Sequence, residues 1–337
     1  MVGTEEQLDQ KSGLRLYNID FERVDFSNVV EQTAEFDDYD GSVVKYPVKT
    51  DIADGARVYT DKDGFFKMQI AQEEPRYVET SKVNLNIRGM SELAHMTDEK
   101  TGREVVAKYV DHWSVDTVKE ARTMAKLSHP NIATVYDLAM SSKGRVYMLT
   151  EWIDGDSLIK WTIYPRSVEE VSDTLRQIMD GISYVNSMHM IHGDLKPENI
   201  MIDQDNRVKI IDFGISSPGE QEVLKVGSGL HSDLYAPPEQ GDGYVSTRTD
   251  VYSYGAIMHD IFTRKIGAAA RSARNEFREN DKLLSIDSDY EYFFHDDPAK
   301  LRKLSAVVHK ALSINPTDRY ANVEEMRKDL SEVFDWD

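Results

Sequence analysis

Cysteine is missing from all 337 residues. That absence removes disulfide frameworks, thiol nucleophiles and cysteine-ligated zinc together. No run of 18 or more apolar residues occurs, so no membrane span is expected. Basic residues are scarce against acidic ones, 40 to 60, giving a formal net charge of −20. Nowhere do Lys and Arg gather into a run. A nucleic acid would be repelled by such a surface, so no nucleic-acid partner is expected, whereas basic partners are favoured. The N-terminus, MVGTEEQLDQ, is acidic and polar, unlike a secretory signal. These features together lead to the expectation of a soluble, cytoplasmic chain.

What is present divides the chain. Its length exceeds what one core usually organises, so two lobes are expected, and an apolar fraction of 40% suffices to fill them. Residues 1–81 form an acidic extension, with 18 acidic and 9 basic residues in the first 80, a balance of −9. Its run Glu35 to Gly41 (EFDDYDG) reads as solvated and mobile. Two β-rich runs around an Asp-Lys-Asp-Gly turn predict a hairpin near 56–71. Beyond Lys82 the pattern tightens. Strands are expected at Glu104 to Val110 and Arg145 to Trp152, and a helix over Ser114 to Ser128. Val168, Val171, Leu175, Ile178, Ile182 and Val185 form a helical stripe that starts at a capping box, Ser167 to Glu170. After Gly214 the chain reads as mostly helical, with helices at Asp250 to Phe262 and Lys303 to Ser313, and a last one opening at a second box, Asn322 to Glu325. Strands first and helices later predict an α+β fold of two unequal lobes.

One stretch carries the chemistry. MIHGDLKPENIMID, Met190 to Asp203, sets charged and polar residues between apolar pairs, and Asp212 follows Asn199 by thirteen positions. The intervening NIMIDQDNRVKIID is a hairpin pattern, which returns Asp212 beside Asn199. Two hard oxygen ligands brought together this way suit Mg²⁺, completed by water and phosphate oxygens. Asp194 is left to accept a proton from an attacking hydroxyl, and Lys196 to neutralise phosphate charge. The combination reads as phosphoryl transfer.

HGDLKPEN followed by IDFG resembles the catalytic loop and metal-binding motif of the protein kinase superfamily, and the resemblance runs from about Lys82 to Phe334. VVAK, ending at Lys108, is similar to the strand whose lysine holds the α- and β-phosphates. Glu120, nine residues before HPNI (His129 to Ile132), sits where the family places that lysine's ion-pair partner. YAPPE (Tyr235 to Glu239) resembles the close of the activation segment, and DVYSYG (Asp250 to Gly255) the helix whose aspartate braces the catalytic loop. Arg319 stands where an arginine pairs with Glu239. The resemblance implies a bilobal fold, with a small β-rich N-lobe carrying one helix (82–153, hinge included) and a larger helical C-lobe (154–337). It also implies ATP and Mg²⁺ as cofactors. Asp194 would be the base, Lys196 the γ-phosphate contact, Asn199 and Asp212 the metal ligands, and Lys108 with Glu120 the phosphate anchor. Ala107 and Met201 would enclose the adenine. Thr150 would be the gatekeeper, and Glu151 to Ile153 the hinge. Lysine two residues after the base is the serine/threonine pattern.

The sequence departs from the family twice. In NIRGMSEL (Asn86 to Leu93), Asn86, Arg88 and Ser91 occupy the three glycine places and Leu93 the valine's, with Gly89 alone at the tip. Glycine serves there because amides must approach phosphates with no Cβ in the way. Either the loop works less tightly, with Arg88 or Ser91 adding a phosphate contact, or the chain is a non-catalytic pseudokinase. The retained Lys108, Glu120, Asp194, Asn199 and Asp212 favour a working enzyme. The second departure is Gly193, where many kinases carry an arginine that pairs with activation-segment phosphate. The H-G-D loop also occurs in small-molecule phosphotransferases, which generally lack the lysine, the YAPPE closure and the DVYSYG helix start. HSD (His231 to Asp233) cannot converge as a triad. DGDS (Asp154 to Ser157) reads as a helix start rather than a calcium loop. The wording of these motifs resembles bacterial or phage-borne serine/threonine kinases, which leaves a host cytosol open as the place of action. Glu198 and the overall acidity point to basic residues near the target hydroxyl of a protein substrate.

Overall fold

In the computed structural model the described residues are 14–18, 31–37, 43–51, 57–60, 66–69, 75–81, 93–110, 121, 123–141, 145–212, 224–225, 234–265, 267–280, 284, 286, 290, 294 and 297–336. The chain divides into two units. One takes residues 1–127 and 134–152, and the other takes 128–133 and 153–337. The division falls inside the expected hinge, between Trp152 and Ile153.

Six antiparallel strands of the first unit close into a barrel, so that none is left as an edge. Around the barrel the order is β1 (Arg15–Asn18), β6 (Tyr77–Ser81), β7 (Leu93–Asp98), β8 (Glu104–Tyr109), β10 (Val146–Glu151) and β9 (Val135–Ser141). Alternation along these strands turns Leu16, Tyr77, Ala94, Met96, Val105, Ala107, Ala139, Tyr147 and Leu149 into one buried cluster. Two of the six strands precede residue 82, where sequence alone drew the start of this lobe. Leu16 lies opposite Tyr77 and Ser141, and Tyr77 opposite Asp98. The barrel therefore uses both ends of the acidic segment. Between those ends runs a separate four-stranded antiparallel sheet of β2 (Glu31–Asp37), β3 (Val43–Asp51), β4 (Arg57–Thr60) and β5 (Phe66–Gln69). Its β4–β5 pair spans the segment where a hairpin is expected. Glu35 to Asp37 of the run expected to be mobile lie in β2.

A salt bridge ties β6 to β7. Arg76 Nε and Nη2 donate to the two carboxylate oxygens of Asp98 at 3.2 and 2.9 Å. Asp98 also accepts from the Lys100 amide and the Thr101 hydroxyl. Burial pushes the Asp98 carboxyl up, but these donors outweigh it and hold the group down to about 2 from an ordinary 3.8. A depressed carboxylate contributes stability that is complete above its unfolded value of 3.8 and disappears as pH falls toward 2. We therefore expect Asp98→Asn to destabilise the N-terminal unit by about 2 kcal/mol at pH 7, from a shift of nearly two units. Urea denaturation from pH 7 down to 3 should show the gap between variant and wild type narrowing. A gap that stayed constant would disprove the linkage.

Helices dominate the second unit. Helix α1 (Leu158–Trp161) starts at Ser157, whose hydroxyl accepts from the Lys160 amide. Helix α2 (Val168–Ser187) starts at the expected capping box, with both reciprocal bonds between Ser167 and Glu170 formed. The whole predicted stripe of α2, from Val168 to Val185, is buried. Each such side chain contributes about 1.5–3 kcal/mol relative to exposure, against about 1 kcal/mol for a cap. Packing thus holds α2 in place, and the cap sets where it begins. Helix α4 (Thr247–Thr263) follows the short α3 (Pro238–Gly241) and is buried almost throughout. Helices α5 (Gly267–Asn280), α6 (Pro298–Ala311) and α7 (Val323–Phe334) follow among the described residues. At α7 the second expected box forms only by half. Asn322 caps the Glu325 amide, but Glu325 reaches back to the amide of Ala321 rather than of Asn322.

A three-stranded sheet carries the catalytic segment in the order β11 (Gly155–Ser157), β12 (Ile200–Asp203) and β13 (Val208–Ile210). Only glycine fits at 155, because a Cβ there would lie 2.1 Å from the Ile202 carbonyl oxygen. The HPNI segment joins this unit rather than the barrel. Ile132 bridges to Ile210, and the Asn131 carbonyl accepts from the Ile210 amide at 2.9 Å. Asn131 Nδ2 donates further to Gln177 Oε1 and the Val208 carbonyl.

Candidate active site

The catalytic segment leaves α2 through His189 at φ +57° and enters β12 at Ile200. Met190, Ile191 and Leu195 are buried, anchoring the loop through its apolar residues and leaving the polar ones to face one another. The hairpin of β12 and β13 pairs Ile200 with Ile210. One residue further, the Ile211 amide donates to the Asn199 carbonyl at 2.8 Å, so Asp212 does return beside Asn199. Asp212 itself has φ +61°. A non-glycine residue in that region is uncommon, and such strained backbones cluster at functional sites.

Three side chains converge within the loop. Lys196 Nζ lies 2.5 Å from Asp194 Oδ2. Asn199 Nδ2 donates to the Asp194 carbonyl at 2.9 Å and to Oδ2 at 3.2 Å. Lys196 and Asn199 are buried, and Asp194 is half-buried. Because Asn199 directs its amide nitrogen at Asp194, its Oδ1 remains as a hard oxygen for a cation, and the Asp212 carboxylate is the second. Among the described residues no cluster of three or more His, Cys, Asp or Glu side chains could hold a metal. A donor pair of this kind fits Mg²⁺, which takes few protein ligands.

The loop is braced from behind by Asp250, fully buried on α4. Its two oxygens accept from the amides of His192 (3.0 Å) and Gly193 (2.9 Å), and Asn186 Nδ2 adds a longer bond at 3.4 Å. Burial pushes the Asp250 carboxyl up, against the pull of His192 and the two amides. Burial likewise holds the His192 imidazole below its ordinary range, although the Asp250, Asp194 and Asp212 carboxylates pull the other way. His192 Nδ1 accepts from the Asp194 amide at 3.3 Å, which puts the neutral ring's proton on Nε2. Gly193 has φ +72°, a conformation that costs glycine nothing. Gln240 Nε2 donates to the Gly193 carbonyl at 2.5 Å. Next to it, Glu239 forms a two-pronged salt bridge with Arg319, at 2.7 and 2.9 Å, as the family resemblance implied. In the sequence Gln240 stands only as the last letter of YAPPEQ, part of the wording that resembles bacterial kinases, and no role could be read for it because a glutamine there breaks no periodicity.

In the barrel, Lys108 on β8 stands opposite Leu93 on one side and Met148 on the other. Ala107 is fully buried, opposite Ala94 and Leu149. Thr150 and Glu151 end β10. The Glu151 amide donates to the Thr134 carbonyl, and its carboxylate accepts from the Thr134 amide, which fixes the start of the hinge. Trp152 stacks on His95, with ring centroids 3.8 Å apart. In the helical unit, Met201 lies on β12 opposite Ser157, and Ile153 is buried. Glu120, Arg88, Gly89 and Ser91 lie outside the described residues, as do the activation-segment serines and the predicted helix up to residue 120.

A carboxylate held by an asparagine and a lysine, a hairpin-returned aspartate and a buried aspartate beneath them make up a loop of the kinase kind. Residues 89–330 match the protein kinase domain family. Serine/threonine-protein kinase PknB of Mycobacterium leprae is 30% identical over 275 residues, covering 74% of this chain and 42% of that protein. A probable serine/threonine-protein kinase of Streptomyces coelicolor, SCO3848, is 27% identical over 267 residues, 73% of this chain and 38% of its own length. PrkC of Bacillus subtilis is 27% identical over 223 residues, covering 65% and 34%. The chain belongs to the protein kinase family, and it spans less than half the length of these relatives.

Proposed function

We propose that this chain transfers the γ-phosphate of ATP to serine and threonine hydroxyls of protein substrates, itself included. The observation that carries this reading is the set of contacts around Asp194. A carboxylate acceptor is held by Asn199 and Lys196 on a loop whose amides are fixed by a buried aspartate. Asp194 would orient the attacking hydroxyl and take its proton. Lys196, already beside the base, would offset the charge of the transferring phosphoryl. Asn199 Oδ1 and Asp212 would hold Mg²⁺, which neutralises phosphate charge when bound. Lys108 with Glu120 would anchor the α- and β-phosphates, and the segment Arg88 to Leu93 would cover them. Ala107 and Met201 would enclose the adenine, with Thr150, Glu151 and Ile153 at its edge.

ATP is a cytoplasmic reagent, so the working place is a cytoplasm. Among the described residues no helix is long and apolar enough to cross a membrane. Glu198, next to the Lys196–Asp194 pair, is only half-buried. Together with the net charge of −20, its negative charge suits a substrate with basic residues near its hydroxyl. The test is transfer of labelled phosphate from ATP with Mg²⁺ to the chain itself and to a basic generic protein, with an acidic one alongside. Nucleotide binding without transfer would favour a scaffold, and transfer only to small amines or sugars a small-molecule enzyme. Preference for the acidic protein would overturn the substrate reading alone.

Gly193 leaves no arginine for an activation-segment phosphate to engage. We therefore expect the triple variant Ser216→Ala, Ser217→Ala, Ser228→Ala to keep its transfer rate within about threefold of wild type, because the switch has lost its main partner. Loss of activity in initial-rate assays would contradict this.

A further inference from the structure

The peptide that joins Gly193 to Asp194 is held at both of its polar ends, by different parts of the chain. Its N–H donates to His192 Nδ1, and its carbonyl accepts from Gln240 Nε2 at 2.5 Å. On the preceding peptide, the Gly193 amide donates to Asp250. Gln240 is only 1% exposed. Its Oε1 has no partner among the described residues. An amide buried with its acceptor unmet is a poor choice for filling space, where methionine or leucine would leave nothing stranded. The one thing this side chain supplies is its donor. It supplies it from α3, whose Glu239 is locked to Arg319.

What the donor holds matters for chemistry. Rotating the plane between Gly193 and Asp194 changes ψ of one residue and φ of the next, and swings the Asp194 carboxylate with them. A glycine at φ +72° resists that rotation less than any other residue would. Gly193 also offers no side chain by which a phosphate could hold the loop.

We propose that Gln240 is a positioning residue for Asp194: its bond to the Gly193 carbonyl fixes the peptide plane that carries the base and couples that plane to α3 without using any charge. The inference rests on the phosphotransfer reading of Asp194. It assigns to an uncharged, buried hydrogen bond the loop-fixing task for which an arginine and a phosphate are otherwise needed.

The test uses Gln240→Met and Gln240→Glu in the full chain. Methionine keeps the length and loses the donor. We expect kcat to fall about tenfold or more, as a small displacement of a reacting group does. KM for ATP should stay within about twofold, because ground-state binding is untouched. Amide hydrogen exchange should quicken in residues 190–200 while α2 and α4 keep their protection. A glutamate at 240 donates to the carbonyl when protonated and repels it when ionised. Its rate relative to wild type should therefore climb as pH is lowered from about 8.5 to about 6, toward the range where a buried carboxyl regains its proton. Unchanged kcat and exchange in Gln240→Met would overturn the proposal. So would protection lost throughout α2 and α4, or a Gln240→Glu ratio flat across pH. A wild-type chain that transferred no phosphate would sink the phosphotransfer reading instead, and exchange in residues 190–200 would still decide whether Gln240 positions the loop.

Discussion

Replacing Asp194 by asparagine should lower phosphate transfer by about a thousandfold or more, since it removes a general base that is also part of a cooperating set. Asparagine preserves the shape of the side chain, so packing around it survives. What disappears is the anionic oxygen that Asn199 Nδ2 reaches at 3.2 Å and Lys196 Nζ at 2.5 Å. The hydrogen bonds of Asp194 described above lie within its own loop, so ATP should still raise the melting temperature of the variant. Initial rates with labelled ATP measure the first effect, and thermal shift with and without nucleotide measures the second. Transfer within tenfold of wild type would remove Asp194 from the role of base. Loss of nucleotide binding together with transfer would mean that the loop had collapsed rather than lost a proton acceptor.

Arg319→Met should be the most damaging single change to folding, at about 3–5 kcal/mol, the range for removing one partner of a buried ion pair. Arg319 has a fully buried side chain and spends all five of its N–H groups. Two reach Glu239, and the others reach the carbonyls of Ser313, Arg248 and Ile314. Methionine would fill the volume but strand a carboxylate and three carbonyls. Lysine would fare little better, because three donors on a point charge cannot reproduce the planar fork. Urea denaturation of the full chain reads the cost. A loss under about 1 kcal/mol, typical of an exposed pair, would show that water replaces these contacts.

The catalytic loop was legible because its chemistry demands particular side chains at short spacings along one loop and one hairpin. Asp194, Lys196, Asn199 and Asp212 lie within nineteen residues, from 194 to 212, and local geometry alone brings them together. The Asp250 brace and the Arg319–Glu239 pair act over longer separations. They were readable only through the resemblance, since nothing in their immediate surroundings marks them. The helix α2 declared itself through a complete stripe and cap. Strand β1 did not. Its four residues RLYN carry no alternation long enough to identify, and their partners at 77–78 and 139–141 are far away in sequence. Gln240 stayed hidden for a similar reason, because its role depends on the one carbonyl it meets. That meeting is a property of the packed loop.

The placement of β1 beside β6 also bears on how this chain tolerates change. The segment between Asn18 and Tyr77 departs from one strand and returns on its antiparallel neighbour. Topologically it is a hairpin turn grown large enough to contain a sheet of its own. Closing a longer loop is entropically mild, about 0.6 kcal/mol for each doubling of length. The pair at its base can thus stay in register while the material above it lengthens, shortens or is exchanged. Evolution has been handed a grafting point on the barrel, where a new recognition module can be trialled without disturbing the strand that carries Lys108.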